Sequence, residues 1–135
     1  MSYFGEPLEI CRAVPFNWGD TWLVVVSGDG PNFCGHALLR VGFYYFHILG
    51  WAERPWYMTE QGFERYKHEG GKRELFRRKI IITKPLEAQR KLEALSVKPW
   101  HWLGVPNNCV SYVEDILRAG GANDASFINC PANWR

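Results

Sequence analysis

Three short apolar segments, separated by turn residues, lie between residues 21 and 49 and constrain the fold more than any other feature. Thr21–Val26 is apolar and rich in valine, which is typical of a buried strand. Residues 36–42 and 43–49 are the second and third predicted strands, and Gly42 marks the bend between them. Because connections this short join antiparallel neighbours, the segments predict an antiparallel meander.

Two helices are predicted in the second half of the chain. Pro85 suits the first position of a helix, which ends before Pro99. Its apolar face holds Leu86, Ala88, Leu92 and Leu95. A second helix opens at Cys109, after a polar pair at 107–108 that supplies an N-cap, and ends at the glycine pair 120–121. Its buried face holds Val110, Val113 and Leu117 at helical spacing.

These elements predict an α+β fold in which an antiparallel sheet packs against helices. The 135 residues match the usual size of one domain, about 100–150 residues, so residues 1–135 are interpreted as a single domain. Residues 1–20 predict an irregular arm, and residues 79–83 predict a further strand. Residues 51–78 are a basic and aromatic insertion, interpreted as a solvated hairpin or loop, with a surface for an anionic polymer or lipid as the alternative.

Aromatic residues are abundant, with 7 Trp, 6 Tyr and 8 Phe. Trp22, Phe43 and Phe46 fall in or beside predicted strands and are expected in the core. Other aromatics fall in connectors, where they are expected to shape a substrate groove. This candidate groove set is Trp51, Trp56, Trp100 and Trp102, together with His101.

Charge and hydropathy exclude several classes of protein. The formal net charge of +2 is too mild to indicate nucleic-acid binding. The run 21–26 is far shorter than the roughly 20 residues of a membrane-spanning helix, so no stable membrane insertion is expected. The first residues lack the basic and apolar regions of a signal peptide, which predicts synthesis as a soluble protein in the cytoplasm.

A Cys-His-His set carries the chemistry predicted from the pattern. Cys109 follows a polar cap at a helix start, where the helix dipole and unpaired N–H groups favour a thiolate. His36 opens one strand and His47 lies near the end of the next, so pairing of the two strands as a hairpin brings the two imidazoles close together. One imidazole would activate the thiol, while the second imidazole would fix the tautomer of the first.

Three alternatives for these residues remain open. Cys109 would otherwise be a buried small apolar side chain, and each histidine a satisfied structural residue. A metal site built from Cys34, His36, His47 and Cys109 is disfavoured because close ligand pairs are missing. His101 is the leading substitute for His47, while His68 is expected in solvent and Cys11 and Cys130 are expected to be structural.

The segment Gly35-His-Ala-Leu-Leu-Arg-Val-Gly42, then His47, then Asn108-Cys-Val-Ser-Tyr-Val-Glu-Asp-Ile-Leu-Arg-Ala-Gly120 resembles the circularly permuted NlpC-type papain-like hydrolases. That superfamily includes peptidoglycan amidases and peptidases, and lecithin–retinol acyltransferase-like enzymes. The resemblance covers residues 21–121, with about 25 positions carrying it. It implies a papain-like fold whose nucleophile lies at a helix N-terminus.

The resemblance also implies roles for individual residues. Cys109 would be the nucleophile, His36 the general base, and His47 the residue that orients His36. The backbone N–H of Cys109, supported by Asn108, would help to form an oxyanion hole. No metal and no organic cofactor is implied.

The implied function is a cysteine-dependent amide hydrolase that forms a thioester intermediate, with peptidoglycan stem peptides as the expected substrate. Small size without a wall-binding module resembles antibacterial effectors, such as those of type VI secretion, delivered to a target-cell periplasm. This reading implies a cognate immunity protein. Two alternatives stand beside it: a lipid acyltransferase or thioesterase of the lecithin–retinol acyltransferase-like type, and a non-enzymatic papain-like binding module.

Overall fold

A computed structural model describes residues 3, 5–7, 16–27, 35–47, 56–96 and 108–122, including the side chains of all but 6–7, 95–96 and 108–112. Its elements form a single antiparallel sheet and three helices, an α+β arrangement as predicted. The strands are β1 (Glu6–Pro7), β2 (Thr21–Val26), β3 (His36–Val41), β4 (Tyr44–His47), β5 (Trp56–Met58) and β6 (Glu74–Ile80). The helices are α1 (Glu60–Gly70), α2 (Pro85–Ser96) and α3 (Asn108–Ala119).

The sheet order is β1-β5-β4-β3-β2-β6, and every pair is antiparallel. The predicted meander is therefore confirmed for β2, β3 and β4. Gly42 occupies the turn between β3 and β4 at φ +60°, a left-handed conformation that glycine adopts without steric cost. Its N–H donates to the carbonyl of Asp20 at 2.8 Å, which fixes the turn against the start of β2.

Each face of the sheet buries its own apolar cluster. Alternate residues of β2 and β3, such as Leu23 and Leu39, face α2 and α3, where they meet Leu92 and Ile116. The residues of β2 and β3 between them face α1, where they join residues of β4, β5 and α1 in a second cluster. This cluster consists of Val24, Val26, Leu38, Tyr45, Met58, Phe63 and Tyr66. The central strands are thus covered on both sides, which explains the near-continuous apolar run of β2.

The predicted helices α2 and α3 are confirmed in position. Pro85 is the first residue of α2, and α3 ends at Ala119, followed by the glycine pair 120–121 with Gly121 at φ +88°. Ala88 and Leu92 are buried as expected, but Leu86 is 60% exposed, so it lies outside the apolar face. Val113 and Leu117 are buried on α3, and Ile116 joins them. The side chains of Leu95 and Val110 lie outside the described residues.

The interpretation of residues 51–78 as a solvated hairpin or loop is wrong for the described part of that segment. It contains β5, helix α1 and most of β6. Phe63 and Tyr66, three residues apart on α1, are buried against the sheet. This highly charged segment is therefore a helix that covers one face of the sheet. Thr59 caps its start by accepting from the Gly62 N–H at 3.2 Å.

Three smaller expectations are also corrected. The strand predicted at 79–83 ends at Ile80 and begins at Glu74, because β6 pairs with β2 from Thr21↔Ile80 to Val26↔Glu74. The arm is not wholly irregular, since β1 pairs with β5. Phe43 is 76% exposed at the hairpin turn, whereas Phe46 is fully buried and Trp22 is partly buried. Within the described residues, the helices are too short or too polar to cross a membrane.

Candidate functional site

The two histidines of the predicted set meet at one end of the sheet. The Nε2 atom of His36 lies 2.9 Å from Nδ1 of His47, within hydrogen-bond distance. The hairpin explains this contact, because Leu39 pairs with Phe46 and the continued register sets His47 beside Leu38. His36 is two residues before Leu38, hence on the same face and diagonal to His47. The expected proximity is confirmed.

His47 is held from several sides. Its exposed fraction is 0%, and its ring packs edge-on against Tyr66 of α1 with centroids 5.4 Å apart. Trp56 of β5 is its direct cross-strand partner. A buried imidazole surrounded by aromatic rings has little rotational freedom, so His47 can fix the ring orientation of a residue bonded to it.

His36 is the more accessible member of the pair and is partly buried at the first position of β3. Desolvation, followed by the neighbouring His47 and the Lys72 ammonium, holds its pKa well below the ordinary histidine value of 6.5. The ring is therefore neutral at pH 7. A neutral imidazole is the form that a general base requires.

The tautomers decide which nitrogen of His36 can accept a proton. If Nε2 of His36 carries the hydrogen and donates to Nδ1 of His47, then Nδ1 of His36 has a free lone pair. This arrangement leaves Nδ1 as the basic atom. Protonation there strengthens the bond to His47, because the donor becomes an imidazolium.

Cys109 is the second residue of α3, which begins at Asn108, so its predicted place at a helix N-terminus is confirmed. Its side chain and that of Asn108 lie outside the described residues. Helix α3 packs on the Leu39 face of the sheet, whereas the histidine pair lies on the Tyr66 face. The described residues therefore bring His36 and His47 together, but they do not bring the histidine pair and the helix that carries Cys109 onto the same face of the sheet.

Of the candidate groove set, the structure describes Trp56 alone. Its Nε1 is buried without a hydrogen-bond partner among the described residues, in the strand that pairs with His47. Trp56 therefore adjoins the histidine pair from within the sheet rather than from a connector. The predictions for Trp51, Trp100, His101 and Trp102, and for Cys11, Cys34 and Cys130, fall outside the described residues.

Tyr66 and Lys72 belong to the surroundings of the site and were not selected from the sequence. Tyr66 contacts His47, and the charge of Lys72 acts on His36. The spacing of Phe63 and Tyr66, between a Thr59 cap and a glycine pair at 70–71, is a helix signal that the surrounding charges concealed. His68 is exposed, as expected.

No metal-binding group of three His, Cys, Asp or Glu side chains occurs among the described residues. The alternative metal site depends on Cys34 and Cys109, whose side chains lie outside that part of the chain. No protein-family model, curated protein or solved structure matches the sequence or the fold of this chain. The arrangement at the histidine pair therefore carries the functional argument.

Acidification below pH 6.5 is expected to destabilise the protein through His36. Because folding lowers the pKa of His36, the unfolded chain binds more protons than the folded protein below about pH 6.5. The neutral His36 ring therefore makes its full contribution to the free energy of unfolding above that pH, and this contribution is lost as the pH falls. Urea unfolding at pH 7.5 and at pH 5.5 measures this effect. Between the two pH values, the free energy of unfolding should fall by up to about 1.4 kcal/mol more in the wild type than in His36→Gln. His68→Gln, an exposed control, should behave like the wild type; equal losses in all three proteins would contradict the prediction.

Proposed function

We propose that this protein is a cysteine-dependent amide hydrolase of the permuted NlpC-type papain-like class. Cys109 is the nucleophile, His36 the general base and His47 the residue that orients His36. The observation that carries the proposal is the 2.9 Å contact between His36 Nε2 and His47 Nδ1 beside a neutral His36 ring. A base whose far nitrogen is held by a third side chain is the arrangement that nucleophilic catalysis requires.

The order of the reaction follows from these roles. Nδ1 of His36 takes the thiol proton of Cys109, and the sulfur attacks the carbonyl carbon of the substrate amide. His36 then gives the proton to the leaving nitrogen as the C–N bond breaks, which leaves a thioester. Water, deprotonated by His36, attacks this thioester, releases a carboxylic acid and restores the thiol.

The N-terminus of α3 supports the chemical steps. The first N–H groups of a helix have no partner within the helix, and they stabilise a thiolate and the oxyanion that forms when it attacks. Asn108 begins the helix, and the backbone N–H of Cys109 belongs to the same turn. These donors are backbone groups, so the oxyanion hole needs no additional side chain.

The C-terminal end of α3 is held at the end of the sheet opposite His36. The carbonyl of Gly120, just after the helix, accepts from the N–H groups of Thr83 and Lys84, which follow β6. Ile80 and Val41 flank Thr21 at that same end of the sheet. If α3 runs along the strands, its twelve residues, which rise about 18 Å, extend toward the His36 end, and Cys109 and His36 would meet around that end of the sheet.

Within this class we propose peptidoglycan stem peptides as the substrate and an antibacterial role for the protein. A surface lined by charged and polar residue types beside the histidine pair supports a polar polymer over a lipid acyl chain. Delivery to a target-cell periplasm and a cognate immunity protein in the producing cell complete this proposal. A lipid acyltransferase activity would require an apolar acyl site next to His36.

Alkylation of Cys109 across the pH range tests the proposal directly. The helix N-terminus and His36 should make Cys109 reactive at a pH at least about one unit below the 8.5 of an ordinary thiol. His36→Gln should slow the reaction at pH 7 severalfold, because the base is lost. Peptide mass spectrometry should assign the rates, with Cys11, Cys34 and Cys130 as internal references.

The matched control is His68→Gln, which removes an exposed histidine from α1. It should leave the reactivity of Cys109 unchanged. A Cys109 that titrates like an ordinary thiol and does not respond to His36→Gln would overturn the nucleophile and base assignments.

A further inference from the structure

A charged cavity of about 480 Å³ lies between the end of α1 and the start of β6. We call it the cationic notch. Its lining residues are Glu64, Lys67, His68, Lys72, Arg73 and Glu74. With the histidine neutral, three basic and two acidic side chains give the lining a net charge of +1, and none of these side chains is apolar.

The notch adjoins the histidine pair on two sides. On α1, Tyr66 contacts His47 and precedes the lining residues Lys67 and His68. Across the sheet, Val26 pairs with both His36 and Glu74, so these residues stand in one row. Neighbouring strands lie about 4.8 Å apart, which sets the backbones of His36 and Glu74 about 10 Å from each other.

Each acidic side chain of the notch forms an ion pair with a basic side chain. Glu64 pairs with Lys67 at 3.1 Å, and Glu74 holds Arg77 through two contacts of 2.6 and 2.8 Å. Arg77 is not itself a lining residue, so its charge offsets Glu74 from outside. The two acidic residues thus each have a basic partner, and the lining as a whole keeps a net charge of +1.

The backbones that carry these two cations are fixed. Gly71 ends α1 in the left-handed region at φ +65°, and the N–H of Lys72 donates to the Lys67 carbonyl at 2.8 Å. Arg73 exchanges two hydrogen bonds with Ser27: its N–H donates to the Ser27 hydroxyl at 3.1 Å, and its carbonyl accepts from the Ser27 N–H at 2.9 Å. A fixed backbone lowers the entropy cost of binding an anion there.

We propose that the cationic notch binds a carboxylate of the peptide substrate, with Lys72 and Arg73 as its main partners, while the neighbouring amide lies at His36. This inference rests on the proposed hydrolase function and adds the charge of the substrate to it. A singly charged carboxylate suits a lining that also contains two acidic residues.

Binding is tested in the Cys109→Ala protein, so that no turnover is needed. Amide chemical shifts should be followed by NMR during titration with N-acetylalanine, N-acetylalaninamide or glycerol 3-phosphate. N-acetylalanine should bind with millimolar affinity, at least tenfold more tightly than the uncharged amide. Its binding should shift the amide signals of residues 71–73. The double variant Lys72→Gln/Arg73→Gln should lose this binding at least tenfold, and added salt should weaken it.

Lys84→Gln is the matched control, because Lys84 is an exposed cation after the opposite end of β6. It should bind N-acetylalanine like the parent protein. Equal affinity for the acid and the amide, or unchanged affinity in the double variant, would overturn the carboxylate site. Tighter binding of glycerol 3-phosphate would overturn it in favour of a phosphate site such as a lipid headgroup.

The two proposals fail in different ways. If the notch binds N-acetylalanine through Lys72 and Arg73 but Cys109 is not reactive, the hydrolase assignment falls and the anion site stands. If Cys109 depends on His36 but the double variant digests sacculi with unchanged dependence on substrate concentration, the anion site alone is overturned.

Discussion

Cys109→Ala is expected to reduce the release of stem peptides from isolated sacculi by at least about a thousandfold. Without a sulfur nucleophile no thioester can form, and the remaining groups can only position a water molecule. Chromatography of the soluble peptides released from sacculi by purified protein measures this effect. His36→Gln should reduce the rate by a similar factor, because the thiol and the leaving nitrogen lose their proton carrier.

Three comparisons make this result specific. His47→Gln should be less damaging than His36→Gln, because an amide can still accept a hydrogen bond from the His36 ring. Lys84→Gln should retain full activity, since Lys84 is exposed and follows the end of β6 that is opposite the histidine pair. Sacculus digestion that persists in Cys109→Ala would exclude Cys109 as the nucleophile. Acyl release from phospholipid vesicles by the wild type, with no action on sacculi, would instead indicate the lipid enzyme.

Phe46→Ala is expected to destabilise the protein by about 3–5 kcal/mol. Phe46 is fully buried in the cluster between the sheet and the helices α2 and α3, with its ring centroid 5.0 Å from that of Phe16. Its truncation leaves a cavity that rigid strands on both sides cannot close. Urea unfolding monitored by circular dichroism at pH 7.5 measures the change in the free energy of unfolding.

Phe43→Ala is the matched control, since it removes the same side chain three residues earlier in the same hairpin. Phe43 is 76% exposed, so its truncation should change the free energy of unfolding by less than about 0.5 kcal/mol. Similar losses in the two variants would mean that the hairpin is not oriented as described.

The strands that carry the histidines were predictable because their signals are local. The predicted strand Thr21–Val26 has the same bounds as β2. The predicted strand at 36–42 differs from β3 only in including Gly42, which belongs to the hairpin turn. A two-residue hairpin turn fixes the cross-strand register, and the register places His36 beside His47. The positions of Pro85 and Cys109 at helix starts also follow from local backbone preferences.

The elements around the site were not predictable in the same way. Helix α1 carries only two buried apolar residues, Phe63 and Tyr66, among many charges, so its pattern resembles a solvated loop until the sheet provides a surface to cover. Strand β6 is set by pairing with β2, which selects Glu74–Ile80 over the more apolar 79–83. The exposure of Phe43 follows from its place at the turn rather than from its residue type.

The sequence by itself determined the central strands, the helix that presents Cys109 and the pairing of His36 with His47, because each depends on neighbouring residues and short-range backbone geometry. Only the tertiary structure decided that His47 packs on Tyr66, that α3 covers the other face of the sheet, and that Lys72 and Arg73 border a notch beside His36. These features depend on contacts between segments far apart in the chain. Their free energy comes from surfaces that exist only after the sheet and helices have packed together.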